Sequence, residues 1–486
     1  MKMNVFKPLC LIVALFTTLT LSAQNFGDAL RYSSFDPIGT ARFMGAGSAL
    51  GPLGADFSVL STNPAGLAWM RQSEFMVTPG LYINSINSQL ARANGGDNLS
   101  FDDSAVQFNL PNIGIVTSSR GGRSMETFNF AMGINRLADF NEEFYYRGTS
   151  QGSIVQRFEE LANANGLDDF EAGVAFDAEA LIEDNNFYFS DFSDFPDREI
   201  EREETVVREG KIEELSFGFA GNVKNKVLWG FSIGVPFMRY EERKEYRETD
   251  PNDNVPIFND LQYDQTLIVN GTGINAKLGV IYRAHQALRL SAAIHTPTYY
   301  QIDETFLTRM EYDYTIEDQN QFGSASSPEG SFNYSLRTPW RFMAGAGTIF
   351  SKNGFLTGEI EYVNYGSNKF LFEGFSGIEA EVNQETRDNL SDAVRIRAGA
   401  EYAIEDFRLR GGLGAQQAAI EGDDNFYTTF SLGAGIRKRA YYIDVAYRRN
   451  SQQTSYTPYL TGDAPQQFVD NDTVRENFVF TLGFRW

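Results

Sequence analysis

A single cysteine stands in 486 residues, at Cys10, inside a stretch that the sequence itself marks for removal. Met1 to Lys7 is cationic, Leu9 to Leu21 is apolar, and Leu21-Ser22-Ala23 is small, which is the order of parts in a secretory signal peptide. Cleavage is expected after Ala23, so that residues 1–23 are the signal peptide. The context Lys7-Pro8-Leu9-Cys10 lacks the small residues that precede a lipidated cysteine. The mature chain then has no thiol, and disulfides, thiolate catalysis and cysteine-ligated metals are excluded. Histidine is almost as scarce, with only His285 and His295. Beyond the signal peptide no run of about 18 apolar residues exists, which excludes helical membrane spans. Positive charge is also short, 41 Lys and Arg against 64 Asp and Glu, a net charge of −23. That balance argues against nucleic acid as a partner, since such a partner needs a basic footprint. Solvated loops account for most of it.

What is abundant is glycine (44), phenylalanine (41) and tyrosine (23). In the last ten residues Phe478, Phe480, Leu482, Phe484 and Trp486 alternate with Val479, Thr481, Gly483 and Arg485. A period of two puts the bulky apolar groups on one face of a strand. A terminal aromatic is where a membrane barrel places a girdle residue. The same alternation recurs at Trp229, Phe231, Ile233, Val235 and Phe237, at Val394 to Ile404, at Phe426 to Ile436 and at Tyr441 to Tyr447. Their alternates include Arg395, Arg397, Glu401, Arg410, Asp444, Arg448 and Arg485, a mixed-sign set suited to a lumen and costly against lipid. The pattern predicts an all-β fold, a transmembrane antiparallel β-barrel of about 14 strands.

The strands are expected near 73–85, 103–118, 125–147, 204–222, 226–246, 264–283, 287–315, 330–351, 354–372, 391–404, 406–418, 425–438, 440–457 and 473–486. Short and long connections alternate between them, as turns on a periplasmic side and loops outside would. The longest loop, about 148–203, is strongly acidic. It carries two helix-like stretches: the first places Ile154, Phe158 and Leu161 on one face, and the second, Phe170 to Ile182, holds Val174, Ala178, Leu181 and Ile182 near each other. An aromatic cluster follows, in which Phe187, Phe189 and Phe192 are candidates to touch an apolar ligand.

Residues 24–72 do not read as strands. Gly45, Gly47 and Gly51 have the wrong spacing for a nucleotide loop, and no βαβ unit surrounds them. Close packing of a Gly- and Ala-rich segment against a barrel wall is the better reading. After Ala41-Arg42-Phe43-Met44-Gly45 comes Asn63-Pro64-Ala65-Gly66-Leu67. Here the chain resembles the FadL/TodX-type outer-membrane transport proteins, which move long-chain fatty acids and other hydrophobic compounds. The resemblance continues at Lys277 to Arg283, Leu288 to Pro297, Arg337 to Trp340 and Val394 to Tyr402, so it spans nearly the whole mature chain. It implies a 14-stranded barrel, here 73–486, plugged by an N-terminal hatch, here 24–72. Asn63, Pro64, Ala65 and Gly66 would be the hatch motif.

For such a transporter, Phe35, Phe43, Met44 and Phe57 are expected to line an apolar pocket. Arg42 would meet either a substrate carboxylate or the barrel wall. Pro64 biases Asn63 away from helix, and Asn63 bonds its own backbone. The expected partners are a hydrophobic small molecule moving by passive diffusion, outer-membrane lipid and lipopolysaccharide, and the barrel-assembly machinery through the C-terminal strand. No cofactor is expected: haem needs an axial ligand, and His285 falls in a short turn while His295 reads as a satisfied wall residue. An enzyme is disfavoured, because a nucleophilic serine would have only these two histidines as base. A surface barrel that binds a partner or a cation through its acidic loops is the alternative.

Overall fold

The computed structural model describes residues 25–36, 38–91, 98–122, 125–350, 353–462 and 466–486; the expected signal peptide lies outside them. Fourteen wall strands follow in chain order. They are β1 (Glu74–Leu90), β2 (Ser100–Arg120), β3 (Met125–Asp139, then Glu142–Gln151), β4 (Glu199–Val223), β5 (Val227–Thr249) and β6 (Phe258–Arg283). Next are β7 (Leu288–His295, then Tyr299–Ile316), β8 (Gln319–Ser326, Gly330–Arg337 and Arg341–Phe350) and β9 (Gly354–Asn364 and Lys369–Leu371). The last are β10 (Asp392–Ile404), β11 (Phe407–Gln417), β12 (Phe426–Arg437), β13 (Tyr441–Tyr456) and β14 (Val469–Arg485). Each pairs antiparallel with its neighbours, and β14 pairs with β1 from Glu74↔Arg485 to Leu90↔Val469, so the sheet closes on itself.

The alternation that predicted the strands is the burial pattern of the wall. On β5 the outward Trp229, Ile233 and Phe237 are exposed, and the next outward residue is Arg239. On β6 the outward Ile274, Leu278, Val280 and Tyr282 form the matching band, with Phe237 opposite Thr272. Nine residues from Trp229 to Phe237, at about 3.3 Å each and a tilt near 40°, give a band roughly 20 Å high. Strands β4, β5 and β6 have 25, 23 and 26 residues and continue past it. Their extensions carry charge on the outer face, such as Arg243 and Arg247, so apolar alternation did not mark them and the expected boundaries fell short. The long loop accordingly shrinks to the residues between Gln151 and Glu199.

That loop folds into a lobe with its own core. Helices α3 (Ile154–Asn165) and α4 (Ala172–Asp177) and the residues just after α4 bury Phe158, Val174, Ala178 and Leu181 against Phe258, Tyr263 and Tyr312 of the wall extensions. Ile182, expected on the same face, starts an exposed hairpin. A further helix α5 (Ser376–Asn389) stands in the loop before β10, where only a loop was expected.

Residues 25–70 supply two more helices, α1 (Phe26–Ser33) and α2 (Ala41–Gly45), and two 3-10 turns, Phe57–Ser61 and Pro64–Trp69. From residue 41 to 70 this segment hydrogen-bonds around the whole circumference. The Ala41 N–H donates to Thr481 Oγ1 of β14 (2.7 Å), and Ala49 O accepts from Thr357 Oγ1 of β9 (2.7 Å). Leu60 O accepts from Ser232 Oγ of β5 (3.1 Å), and Leu67 O accepts from Asn129 Nδ2 of β3 (2.7 Å). It therefore lies inside the lumen. Among the described residues no helix is long and apolar enough to cross a membrane.

Candidate functional site

The site is the part of the lumen that the segment leaves open, a cavity of about 740 Å³ beside α1. Helix α1 forms because Asn25 and Asp28 make a capping box: Asn25 Oδ1 accepts the Asp28 N–H at 3.1 Å, and Asp28 Oδ2 accepts the Asn25 N–H at 3.4 Å. Its Ala29 and Tyr32 are buried against the wall, while Phe26, Leu30 and Arg31 line the cavity. Arg31 pairs with Asp28 and lies 4.4 Å from the Tyr240 ring centroid. Burial raises the Asp28 carboxyl above its ordinary range in spite of Arg31.

Below α1 the chain is pinned by three wall arginines. Arg341 donates to Ser33 O, Arg395 Nη1 to Phe35 O (2.6 Å), and Arg448 to the Asp36 carboxylate. The Asp36 N–H also donates to Leu137 O of β3 (2.9 Å). Burial opposes ionisation of Asp36, but Arg448 and Arg395 outweigh it and hold its carboxyl below the ordinary range.

The lining has two characters. One side is apolar, from Phe26, Leu30, Phe140, Leu267 and Phe306. The other is amide and hydroxyl, including Asn84, Gln107, Gln416, Thr429, Asn450 and Asn471. Cations also line the cavity, each beside a carboxylate: Arg208 with Glu142 (2.6 Å) and Glu242 (2.5 Å), Lys244 with Glu242 (3.5 Å), Arg475 with Glu142 (3.0 Å), Arg395 with Glu361 (3.7 Å) and Arg397 with Glu359.

One stretch of wall beside the cavity lacks a backbone ladder among the described residues. β2 pairs with β3 only over Asn112–Arg120, and the second half of β3 pairs with β4. Between β2 and that half of β3 the links are side chains: the Tyr145 N–H donates to Asp103 Oδ2 (2.8 Å) and the Thr149 N–H to Asn98 Oδ1 (3.1 Å). At the break in β3, Asn141 accepts from Asn84 Nδ2 through its backbone oxygen (3.0 Å) and from Gln107 Nε2 through Oδ1 (3.1 Å).

Of the residues expected to line a pocket, the structure brings Phe35 alone from the N-terminal segment to the cavity. Phe43, Met44 and Phe57 are fully buried between segment and wall, where the Phe57 ring packs on the bare backbones of Gly114 and Gly133. Arg42 is turned to its own segment and the wall, donating to Ala55 O (2.6 Å) and lying 3.5 Å from Glu401 and 3.8 Å from Asp56. Phe187 and Phe189 are exposed on the lobe's hairpin, and Phe192 is buried with its ring 5.1 Å from Phe258. Asn63 caps the second 3-10 turn, Oδ1 accepting the Ala65 N–H (3.2 Å) and Nδ2 donating to Gly51 O (3.3 Å). His295 Nε2 is 2.6 Å from Thr62 O. Tyr82, Asn84, Gln107 and Asn471 were not singled out in the sequence; the signal available was a polar residue at an inward position of a barrel strand.

No family model and no curated protein matches this sequence. Solved structures do match its fold. A FadL homologue of Pseudomonas aeruginosa aligns over 93% of this chain and 99% of its own, with TM-score 0.56 and 13% identity. The toluene transporter TbuX of Ralstonia pickettii aligns over the same shares with TM-score 0.51 and 15% identity. The toluene transporter TodX of P. putida does so with TM-score 0.50 and 12% identity. At these identities the likeness is one of fold, and the chain has the FadL-type barrel fold that its motifs resemble.

Proposed function

We propose that the protein sits in the outer membrane and carries hydrophobic small molecules inward by passive diffusion, with residues 24–72 as its hatch. The observation that carries this is a cavity with one apolar side, enclosed by a barrel with an apolar outer band whose lumen below is filled by the segment. An open aqueous pore does not favour a molecule that leaves water, whereas burial of hydrocarbon contributes about 0.8 kcal/mol per CH₂. The neighbours named as toluene transporters support the same reading at the level of fold.

The stretch of wall between β2 and the second half of β3 is the exit this reading favours. Parting it breaks a few side-chain bonds, whereas moving residues 41–70 breaks bonds to strands all round the barrel. The test is uptake of a radiolabelled fatty acid or alkane into proteoliposomes. The expected result is flux above that of protein-free vesicles, cut at least about tenfold when cysteines at positions 103 and 145 are joined by a short thiol crosslinker. Flux equal to protein-free vesicles would sink the transport reading, and flux unchanged by the crosslink would sink the lateral exit. Nothing in the lobe's exposed hairpin contributes to this path, so a partner-binding role for the acidic loop stands as a separate reading.

A further inference from the structure

We propose that Arg283 of β6 and Arg289 of β7 form an oxyanion site at the inner end of the lumen, where a phosphate or carboxylate group bridges the wall to the N-terminal segment. This goes beyond the transport reading and does not depend on it. The two arginines lie directly opposite each other in the sheet, Arg289↔Arg283. Side chains so placed on antiparallel strands share a face with Cβ atoms about 5 Å apart, and like charges there repel. The shared face is the lumen. Ile281, two residues before Arg283, is fully buried in the cluster that holds Met44, Leu60 and Leu67 of the segment, and Arg289 Nη1 donates to Leu53 O (3.0 Å).

Elsewhere in the lumen a carboxylate answers each such charge. Arg31, Arg136, Arg208, Arg341 and Arg410 each touch one. Among the described residues neither Arg283 nor Arg289 does; their polar bonds go to backbone oxygens. The sequence shows why. Residues 215–240, 265–302 and 330–358, which supply the inner parts of β4 to β8 and the turns between them, contain no Asp or Glu. The charged groups that act on Arg289 are Arg283 and Arg42, both positive.

The guanidinium groups are held, and part of each is free. Arg289 lies 4.1 Å from the Trp69 ring centroid, stacked on the segment, and is anchored there by its bond to Leu53 O. Its Nε is shut in without a partner, whereas its Nη2 is unbonded and not shut in. Arg283 reaches Gln286 O through Nη2 at 3.4 Å, which leaves its Nε and Nη1. Both residues are partly exposed, so a solute can reach the free edges. A guanidinium edge matches two oxygens of one carboxylate or phosphate. One oxyanion shared by the two edges removes their repulsion. Because Arg289 is fixed to Leu53 and Trp69, that anion also ties this part of the segment to β6 and β7. A hydrocarbon or a hydroxyl brings no charge and does neither.

The test uses the full chain in a neutral detergent at pH 7, read by the temperature at which heat-modifiable migration is lost. Inorganic phosphate at about 50 mM, against sodium chloride of equal ionic strength, is expected to raise that midpoint by at least about 2 °C. Arg283→Gln, which leaves the contacts to Leu53 and Trp69 in place, and Arg289→Gln are each expected to lose the rise. Arg408→Gln, at an arginine bonded to backbone oxygens of its own turn, is expected to keep it. Hexyl phosphate and hexanoate separate the sources: action at tenfold or more lower concentration than phosphate assigns the site to an amphiphile's head group, and equal concentrations assign it to a free anion. A midpoint that no anion moves beyond sodium chloride overturns the proposal, as does a full rise retained in both Arg283→Gln and Arg289→Gln. Either failure leaves flux into proteoliposomes, the measure of the transport reading, untouched.

Discussion

Asp36 shows how a single side chain couples the N-terminal segment to the wall. Its carboxyl is held below the ordinary range by Arg448 and Arg395, so its contribution is fully present above the unfolded-state value near 4 and is lost as pH falls through the lower folded-state value. Limited proteolysis of residues 25–36 is therefore expected to rise steeply below about pH 4 in the wild-type barrel. Asp36→Asn is expected to be cleaved faster at pH 7 and to lack that step; an identical pH profile would refute the role of the pair. At this scale the sequence was informative about backbone chemistry and poor about ligand contacts. Asn63 before Pro64 could be read as a cap because the bond it makes is to its own neighbours. Phe43, Met44 and Phe57 could not be told from Phe35, because apolar side chains look alike whether they meet a cavity or a wall.

Between elements, the segment and barrel approach so closely at several glycines that no Cβ fits between them. Gly47 has φ +69°, and a Cβ there would strike the Ala398 carbonyl oxygen of β10; Gly45 faces the Gly433 Cα of β12, 3.0 Å from its own Cβ position. On the opposite wall Gly230 of β5 faces the Pro64 carbonyl and Gly279 of β6 faces the Asn63 side chain. Gly47→Val is expected to destabilise the barrel by about 2–4 kcal/mol, from a left-handed backbone plus overpacking. Gly358→Ala, whose Cβ would have one neighbour at 3.9 Å, is expected to change stability by less than about 0.5 kcal/mol. The measurement is the temperature of loss of heat-modifiable migration, and equal midpoints for the two variants would refute the close-contact account. Reading Gly45, Gly47 and Gly51 as close packing was possible from composition. Their partners on the strands were not legible, because alternation gives a strand's faces and not its height against another segment.

For the whole molecule, the segment is expected to decide whether the barrel is a pore. Deleting residues 38–70 removes the groups that fill the lumen below the cavity while the closed ladder of β1 to β14 remains. The expected result is a barrel that still inserts into planar bilayers and now shows large, steady ion conductance, where the full chain shows little; equal conductance would place the seal elsewhere. The sequence by itself determined the barrel, its strand count and which residues face outward, because a period of two is a local property that a wall with an apolar outside and a polar inside imposes on every strand. It determined less where strands run on past the apolar band, since Arg239 to Arg247 on β5 obey no apolar rule, and it left α5 unseen. Only the tertiary structure decided the site. The cavity is bounded by α1, by β3 at its break and by residues as distant in sequence as Asn84, Gln107 and Asn471, and such proximity depends on ring closure and register, which no local pattern encodes.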